Sequence, residues 1–211
     1  KSKRGFPWRR TRDPYAICVA EIMLQQTQAS RVSMQFPRFL AQFPSLRSMA
    51  RSPRGEVIRA WSGLGYNNRA VRLHELARTV AGIHGGRIPH DTDTLLTLPG
   101  IGTYTAHAIA CFAFGRQVPV VDVNVRRILT RVFWKAKHPL DYRSLKEIWT
   151  ISESILPARH AYRWNQALMD LGSTVCTARK PRCPDGPVAD LCLASHLHRF
   201  RVRDGTHGRK P

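Results

Sequence analysis

The stretch that most constrains this chain runs from Leu98 to Arg131, LPGIGTYTAHAIACFAFGRQVPVVDVNVRRILTR. Leu98-Pro99-Gly100-Ile101-Gly102 reads as a tight turn between two helices, because proline and paired glycines punctuate what would otherwise be helical pattern. Such a turn lets backbone N–H groups approach a ligand. The helix starting at Thr103 adds the positive end of its dipole, so an anion such as phosphate is the guest it suits. Asp122 is the only acidic residue between Asp93 and Asp141. A lone carboxylate in so basic a segment points to chemistry.

The whole chain is basic, with 34 Lys and Arg against 14 Asp and Glu, a net charge of +20 and a pI near 11.1. A field of that size attracts polyanions and favours nucleic acid over an acidic membrane surface. No apolar run approaches the roughly 20 residues of a membrane span. The basic start KSKRGFPWRR lacks the apolar core of a signal peptide. The expected setting is therefore the cytoplasm, alongside the nucleoid, with no membrane partner. The first residue is not Met, as in a chain trimmed at its N-terminus. At 211 residues the chain can form one large domain or two small ones.

Helical signals dominate. Asp13-Pro14 is an N-cap followed by proline at the first helical position, opening a helix read as PYAICVAEIMLQQTQASRV. Within it Cys18, Glu21 and Gln25 share one face. Glu21, the only acid between Asp13 and Glu56, has two readings. It is a carboxylate satisfied by an arginine or a backbone group, or its apolar setting lets it keep a proton near neutral pH and act as a general acid. From Phe36 to Ile83 short helices alternate with turn signals at Pro37, Pro44, Ser52-Pro53 and Gly63-Leu64-Gly65. Gly63, Gly65, Tyr66 and Arg69 form either an ordinary helix connector or a DNA-contacting loop. Strand signals are scarce, which favours an all-α fold.

The helix after the Leu98–Gly102 turn should run to Phe114 and stop at Gly115. Gln117 to Val121 reads as an extended connector. Beyond it Val125, Ile128, Leu129, Val132 and Phe133 mark one face of a helix with Asp122 at its N-terminal edge. An N-cap and a catalytic carboxylate are compatible roles there. Further helices are expected at Ser144–Leu156 and through Trp164, Leu168, Met169 and Leu171, before a basic tail. Cys18 and Cys111 lie in apolar runs and read as core residues. Cys176, Cys183 and Cys192 crowd the C-terminal end, where a metal or cluster is favoured over disulfides.

These motifs together resemble the helix-hairpin-helix DNA glycosylases of the endonuclease III superfamily. LPGIGTYTAHA followed by VPVVDVNVRRIL carries that likeness, while EIMLQQTQ and GLGY resemble its adenine glycosylase branch. The resemblance covers about Pro7 to Cys192. It implies an all-α, two-domain fold with a DNA-binding cleft between the domains: a six-helix barrel at 17–116 containing the hairpin, and a second domain from 1–16 plus 117–211 carrying the Cys-bearing loop. Asp122 matches the superfamily's catalytic aspartate, and Glu21 the glutamate that protonates the departing adenine. Gln25 and Gln26 match the glutamines that probe the duplex beside the extruded nucleotide. Leu98, Gly100, Ile101, Gly102 and Thr103 match the phosphate-binding hairpin. Tyr104 stands where lyase-active members carry a lysine, so no Schiff base with the sugar can form, and a monofunctional glycosylase acting as a monomer on mismatched duplex DNA is implied.

Three departures accompany the likeness. The family's cluster pattern is C-x6-C-x2-C-x5-C, and Cys176, Cys183 and Cys192 fit it while Gly186 holds the third position, leaving a 4Fe-4S cluster with a substitute ligand such as Asp185, labile or absent. The chain stops where adenine glycosylases continue into a domain that recognises 8-oxoguanine, as though that domain had been removed. Its shortness, PWRRTRDPY, Tyr104 and ARKPRC also resemble the thymine mismatch glycosylases, although that branch tends to carry arginines at the positions of Gln25 and Gln26. Removal of adenine opposite G or 8-oxoguanine is the favoured expectation, and thymine or uracil opposite G the alternative. A non-catalytic DNA-binding hairpin module would need neither Glu21 nor Asp122.

Overall fold

A computed structural model describes residues 5–134 and 145–195, and every regular element among them is helical. The chain divides into two compact units, Arg4–Arg116 and one built on Gln117–Pro211. Among the described residues no helix is long and apolar enough to cross a membrane.

The first unit is organised on α1 (Pro14–Leu24), which is apolar on all sides and buried from Tyr15 to Met23. A helix of that kind must be surrounded. It packs against α2 (Ala29–Gln42), α5 (Asn68–Ile83) and α7 (Thr103–Phe112). The short α3 (Leu46–Arg51) and α4 (Arg54–Ala60) lie on α5, and α6 (Thr92–Leu96) lies on α7. Asp13 caps α1 as its sequence predicts, accepting hydrogen bonds from the N–H groups of Tyr15 and Ala16. Gly115, at φ +69°, closes α7: its N–H donates to Cys111 and that of Arg116 to Ala110.

Local readings needed correction at three places. The helix read as continuous through Val32 breaks after Leu24, with Gln26 in a left-handed conformation at φ +55° before α2 begins. Pro37, read as a break, lies inside α2 on its exposed face, where water can satisfy the carbonyl that loses its partner. The N-terminal arm, assigned from the resemblance to the second domain, packs on the first unit from Phe6 onward. Trp8 is buried edge-on against Phe36 of α2 at 5.9 Å and stacks on Phe6 at 4.8 Å, while Arg12 donates to the Phe112 carbonyl at 2.7 Å. A tryptophan buries too much apolar area to remain in a solvated arm.

The second unit holds α8 (Val123–Phe133), α9 (Leu145–Ser154) and α10 (Ala161–Thr174). The connector before α8 is pinned by buried Asn165 of α10, whose amide accepts from the Val120 N–H and donates to the Val118 carbonyl, each at 3.0 Å. Gly172 of α10 lets the backbone of α8 come close, since a Cβ there would sit 2.6 Å from the Asn124 Cβ. Replacing Gly172 with Ala gains about 1 kcal/mol of helix propensity and meets about 1–3 kcal/mol of overpacking. Chemical denaturation of Gly172→Ala is therefore expected to show a net loss of stability, where propensity alone would give a gain.

Candidate active site

Two loops, at residues 25–28 and 63–67, meet at the C-terminal end of α1, and Arg69 ties them to it. Its NH1 donates to the carbonyls of Ile22 and Met23 at 3.0 and 2.8 Å in the last turn of α1, where the Ile22 carbonyl also accepts from the Gln25 N–H. Its NH2 donates to Thr27 Oγ1 at 2.9 Å and to the carbonyls of Leu64 and Gly65 at 3.2 and 2.8 Å. The guanidinium also lies over the rings of Trp61 and Tyr66. Arg69 belongs, on sequence, to either an ordinary helix connector or a DNA-contacting loop; the structure buries it and commits its terminal N–H groups to main-chain carbonyls and Thr27 Oγ1. Burial lowers its pKa from the usual arginine value.

This clamp leaves two side chains projecting. Tyr66 is 66% exposed at φ +49°, flanked by Gly63 and Gly65 at φ +87° and +71°. Gln26 is likewise exposed and left-handed. Non-glycine residues seldom adopt this conformation, so the surrounding bonds must hold them there. Gln25 points the other way, its amide reaching the Gly100 carbonyl at 3.5 Å and Thr105 Oγ1 at 3.4 Å. It is thus a link to the hairpin as well as a surface residue.

In the hairpin the two glycines differ. Gly100 is left-handed at φ +79°, and a Cβ there would press on the Arg72 side chain at 3.1 Å. Gly102 has an ordinary φ of −103° and open space where its Cβ would be. Gly100 therefore makes the turn, and Gly102 keeps the start of α7 clear for a close approach. Leu98 and Ile101 bury their side chains in the unit, so their contribution to any surface is through backbone; Thr103 is exposed.

Glu21 is buried in the apolar body of α1, only 4% exposed. The hydroxyl of Tyr104, on the first turn of α7, donates to Glu21 Oε2 at 2.7 Å. The surroundings are of low polarity: burial pushes the neighbouring Cys18 thiol up to about 12, with the charge of Glu21 adding to it. Burial of this kind favours the neutral form of a carboxyl, while a donated hydroxyl favours the ionised form.

Asp122, in the second unit, is the N-cap of α8. Its Oδ1 accepts from the N–H groups of Asn124 and Val125 at 2.9 and 2.7 Å, and its Oδ2 accepts from Asn124 Nδ2 at 2.8 Å. Asn124 is oriented in turn by Arg127, whose NH2 donates to Asn124 Oδ1 at 2.9 Å and to the Gly172 carbonyl at 2.6 Å. The capped, hydrogen-bonded carboxylate is fixed in direction. Asn124 and Arg127, like Thr27 and Thr105, were not singled out in the sequence. Asn124 could have been suspected from its place two residues after an N-cap aspartate.

Cys176, Cys183 and Cys192 are half-buried free thiols. Among the described residues no group of three His, Cys, Asp or Glu side chains is arranged to hold a metal ion. Asp185, the candidate substitute ligand, faces Arg182 at 3.6 Å with both side chains exposed. The donor set present does not fit a four-ligand cluster.

Residues 19–154 match the family described as "HhH-GPD superfamily base excision DNA repair protein", and the chain belongs to that family. It is 46% identical over 197 residues to the adenine DNA glycosylase of Mycolicibacterium smegmatis, a match covering 92% of this chain and 64% of that one. It is 36% identical over 191 residues to the thymine/uracil-DNA glycosylase of Methanothermobacter thermautotrophicus, covering 90% and 86%. The solved structure of a thermostable thymine-DNA glycosylase matches with a TM-score of 0.87 at 34% identity, over 93% of this chain and 91% of that chain. The chain thus spans about two thirds of the adenine enzyme's length and most of the thymine/uracil enzyme's.

The clamp and the turn predict separable effects on stability. Arg69→Lys keeps the charge and loses the fork that reaches several carbonyls at once, so a loss of about 2–4 kcal/mol is expected in urea denaturation. Gly100→Ala should cost about 1–2 kcal/mol through its left-handed backbone, while Gly102→Ala should leave the unfolding midpoint nearly unchanged.

Proposed function

We propose that this chain is a monofunctional DNA glycosylase acting as a monomer on mismatched duplex DNA, and that it removes adenine opposite G or 8-oxoguanine. The observation that carries this reading is the buried Glu21 carboxyl on apolar α1, hydrogen-bonded by the Tyr104 hydroxyl at 2.7 Å. A purine leaves as a poor anion unless it is protonated. A shielded carboxyl is the group to supply that proton.

The reaction exchanges one bond for another. The target nucleotide leaves the stack, at a cost of a few kcal/mol that is lowest at a mispair. Glu21 gives its proton to the departing base as the bond between base and sugar breaks. Asp122, already fixed by the α8 N-terminus and Asn124, stabilises the positive charge that develops on the sugar. Water then adds to the anomeric carbon and releases a proton, leaving an abasic site. No amine stands at position 104, so the strand should stay intact until alkali is applied. The hairpin at 98–102 and the start of α7 supply backbone N–H groups for a phosphate. Gln26 and Tyr66, exposed and held in strained conformations, are the side chains best placed to enter a duplex.

A second reading, excision of thymine or uracil opposite G, is favoured by the 36% identity to the thymine/uracil enzyme and by the TM-score of 0.87 to a thymine-DNA glycosylase. The greater identity to the adenine enzyme, with Gln25 and Gln26 in place, tips the choice to adenine.

Single-turnover cleavage of duplexes carrying A·8-oxoguanine, A·G, T·G and U·G, developed with hot alkali, tests the proposal. Excision from the A duplexes alone, with breaks only after alkali, is expected. Activity confined to T and U would transfer the chain to the second reading, and strand breaks without alkali, trapped by borohydride, would refute the role given to Tyr104. Asp122→Asn separates capping from catalysis, because Asn caps a helix about as well as Asp. It should stay within about 1 kcal/mol of native stability and lose excision by about three orders of magnitude. Gly102→Ala, sound in fold, should bind duplex DNA more weakly in a titration.

A further inference from the structure

The Cys-bearing loop has the spacing of a cluster site and an internal scaffold of another kind. Gly186 closes the short turn Cys183–Asp185 by donating its N–H to the Cys183 carbonyl at 3.0 Å. A Cβ at 186 would lie 3.2 Å from that same oxygen, tighter than ordinary van der Waals contact. The turn therefore fits glycine closely, although Gly186 itself has ordinary extended backbone.

The loop is nevertheless tied down, and arginines do it. Arg131 of α8 donates through NH1 to the Thr177 carbonyl at 2.7 Å and to Cys176 Sγ at 3.4 Å, and through NH2 to the Ala178 carbonyl at 2.9 Å. Arg127, one turn earlier, donates from Nε to the Cys176 carbonyl at 2.9 Å. Arg182, within the loop, reaches back to the Thr174 carbonyl at 2.9 Å. The Cys192 thiol turns toward the Arg131 carbonyl at 3.5 Å. One sulfur therefore accepts from a guanidinium, and another donates its S–H to a main-chain oxygen, a bond that only a protonated, unligated thiol can make.

We propose that guanidinium-to-carbonyl hydrogen bonds from Arg127 and Arg131 hold this loop where relatives of the resembled kind use a metal cluster, so that the chain folds and acts free of iron and its three thiols are dispensable. A planar guanidinium with several donors suits this task, since it satisfies consecutive carbonyls of an irregular segment at once. Metal-dependent loops make folding conditional on the metal, and the arginine scaffold removes that condition.

Iron content of the native chain, purified anaerobically from iron-replete cells, gives the primary test. Iron far below one equivalent and no brown absorption are expected; about four irons per chain with that colour would overturn the proposal. Amide hydrogen exchange across residues 176–182 supplies an independent readout. Arg131→Ala should speed exchange there by about tenfold, the equivalent of one lost hydrogen bond, with Arg131→Lys as a milder variant should the first not fold. Cys183→Ser should leave exchange and melting temperature as in the native protein. Faster exchange in the cysteine variant with none in the arginine variants would overturn the proposal. So would a Cys176→Ser, Cys183→Ser, Cys192→Ser triple variant that fails to fold.

Discussion

Arg69 puts its guanidinium into the end of α1, and the shape of the first unit's loops depends on that insertion. By taking the carbonyls of Ile22 and Met23 it occupies acceptors at the helix end, so the chain turns at residues 25–28. By taking those of Leu64 and Gly65 as well, it binds the GLGY loop to the same point. Trp61 adds a bond from its indole N–H to Gly65 and an aromatic floor beneath the guanidinium. The left-handed backbones of Gln26 and Tyr66 are unfavourable alone, and this buried network offsets them. Their two exposed side chains follow from one buried one.

The second unit fixes its carboxylate by a different route. Asp122 gets its direction from the N-terminus of α8 and from Asn124, and Asn124 gets its own from Arg127. Arg127 is in turn anchored in α10 and the Cys-bearing loop, through the carbonyls of Gly172 and Cys176. Gly172 belongs to the same arrangement, because only a residue without a Cβ lets α10 come this close to Asn124. A carboxylate that must face developing positive charge gains from being set in place before the charge appears. In the proposed reaction, capping and catalysis would thus ask the same thing of Asp122, a fixed oxygen at a positive helix end.

Features carried by local patterns were legible in the sequence. The Asp13-Pro14 cap, the stop at Gly115, the helix starting at Thr103 and the N-cap at Asp122 each rest on a few neighbouring residues whose chemistry admits few conformations. Two local readings and one assignment made by likeness turned on contacts from far along the chain. The break after Leu24 depends on Arg69, some 45 residues later, and nothing within EIMLQQTQ announces it. Arg69 itself looks like one of many surface arginines until the carbonyls around it are seen. The arm was assigned to the second domain by likeness, and Trp8 found its apolar wall on α2. The Tyr104–Glu21 hydrogen bond spans 83 residues, so each partner was recognisable by type and the pairing was not.

The arginines also alter how the net charge of +20 should be understood. A basic chain invites the inference that its cations face phosphate, each weakening binding as salt rises. Here Arg12, Arg69, Arg127 and Arg131 spend donors on main-chain carbonyls at helix ends and loops. Carbonyls at helix C-termini carry partial negative charge, and for a guanidinium they are a weaker, internal version of the phosphate oxygen. The same residue type thus serves both the fold and the electrostatic field. A bound phosphate can draw on the field of a buried arginine but not on its hydrogen bonds, so the count of direct phosphate contacts must fall below the count of cations. In the proposed complex the close contacts would then fall to the hairpin N–H groups and to side chains that no helix end has already claimed.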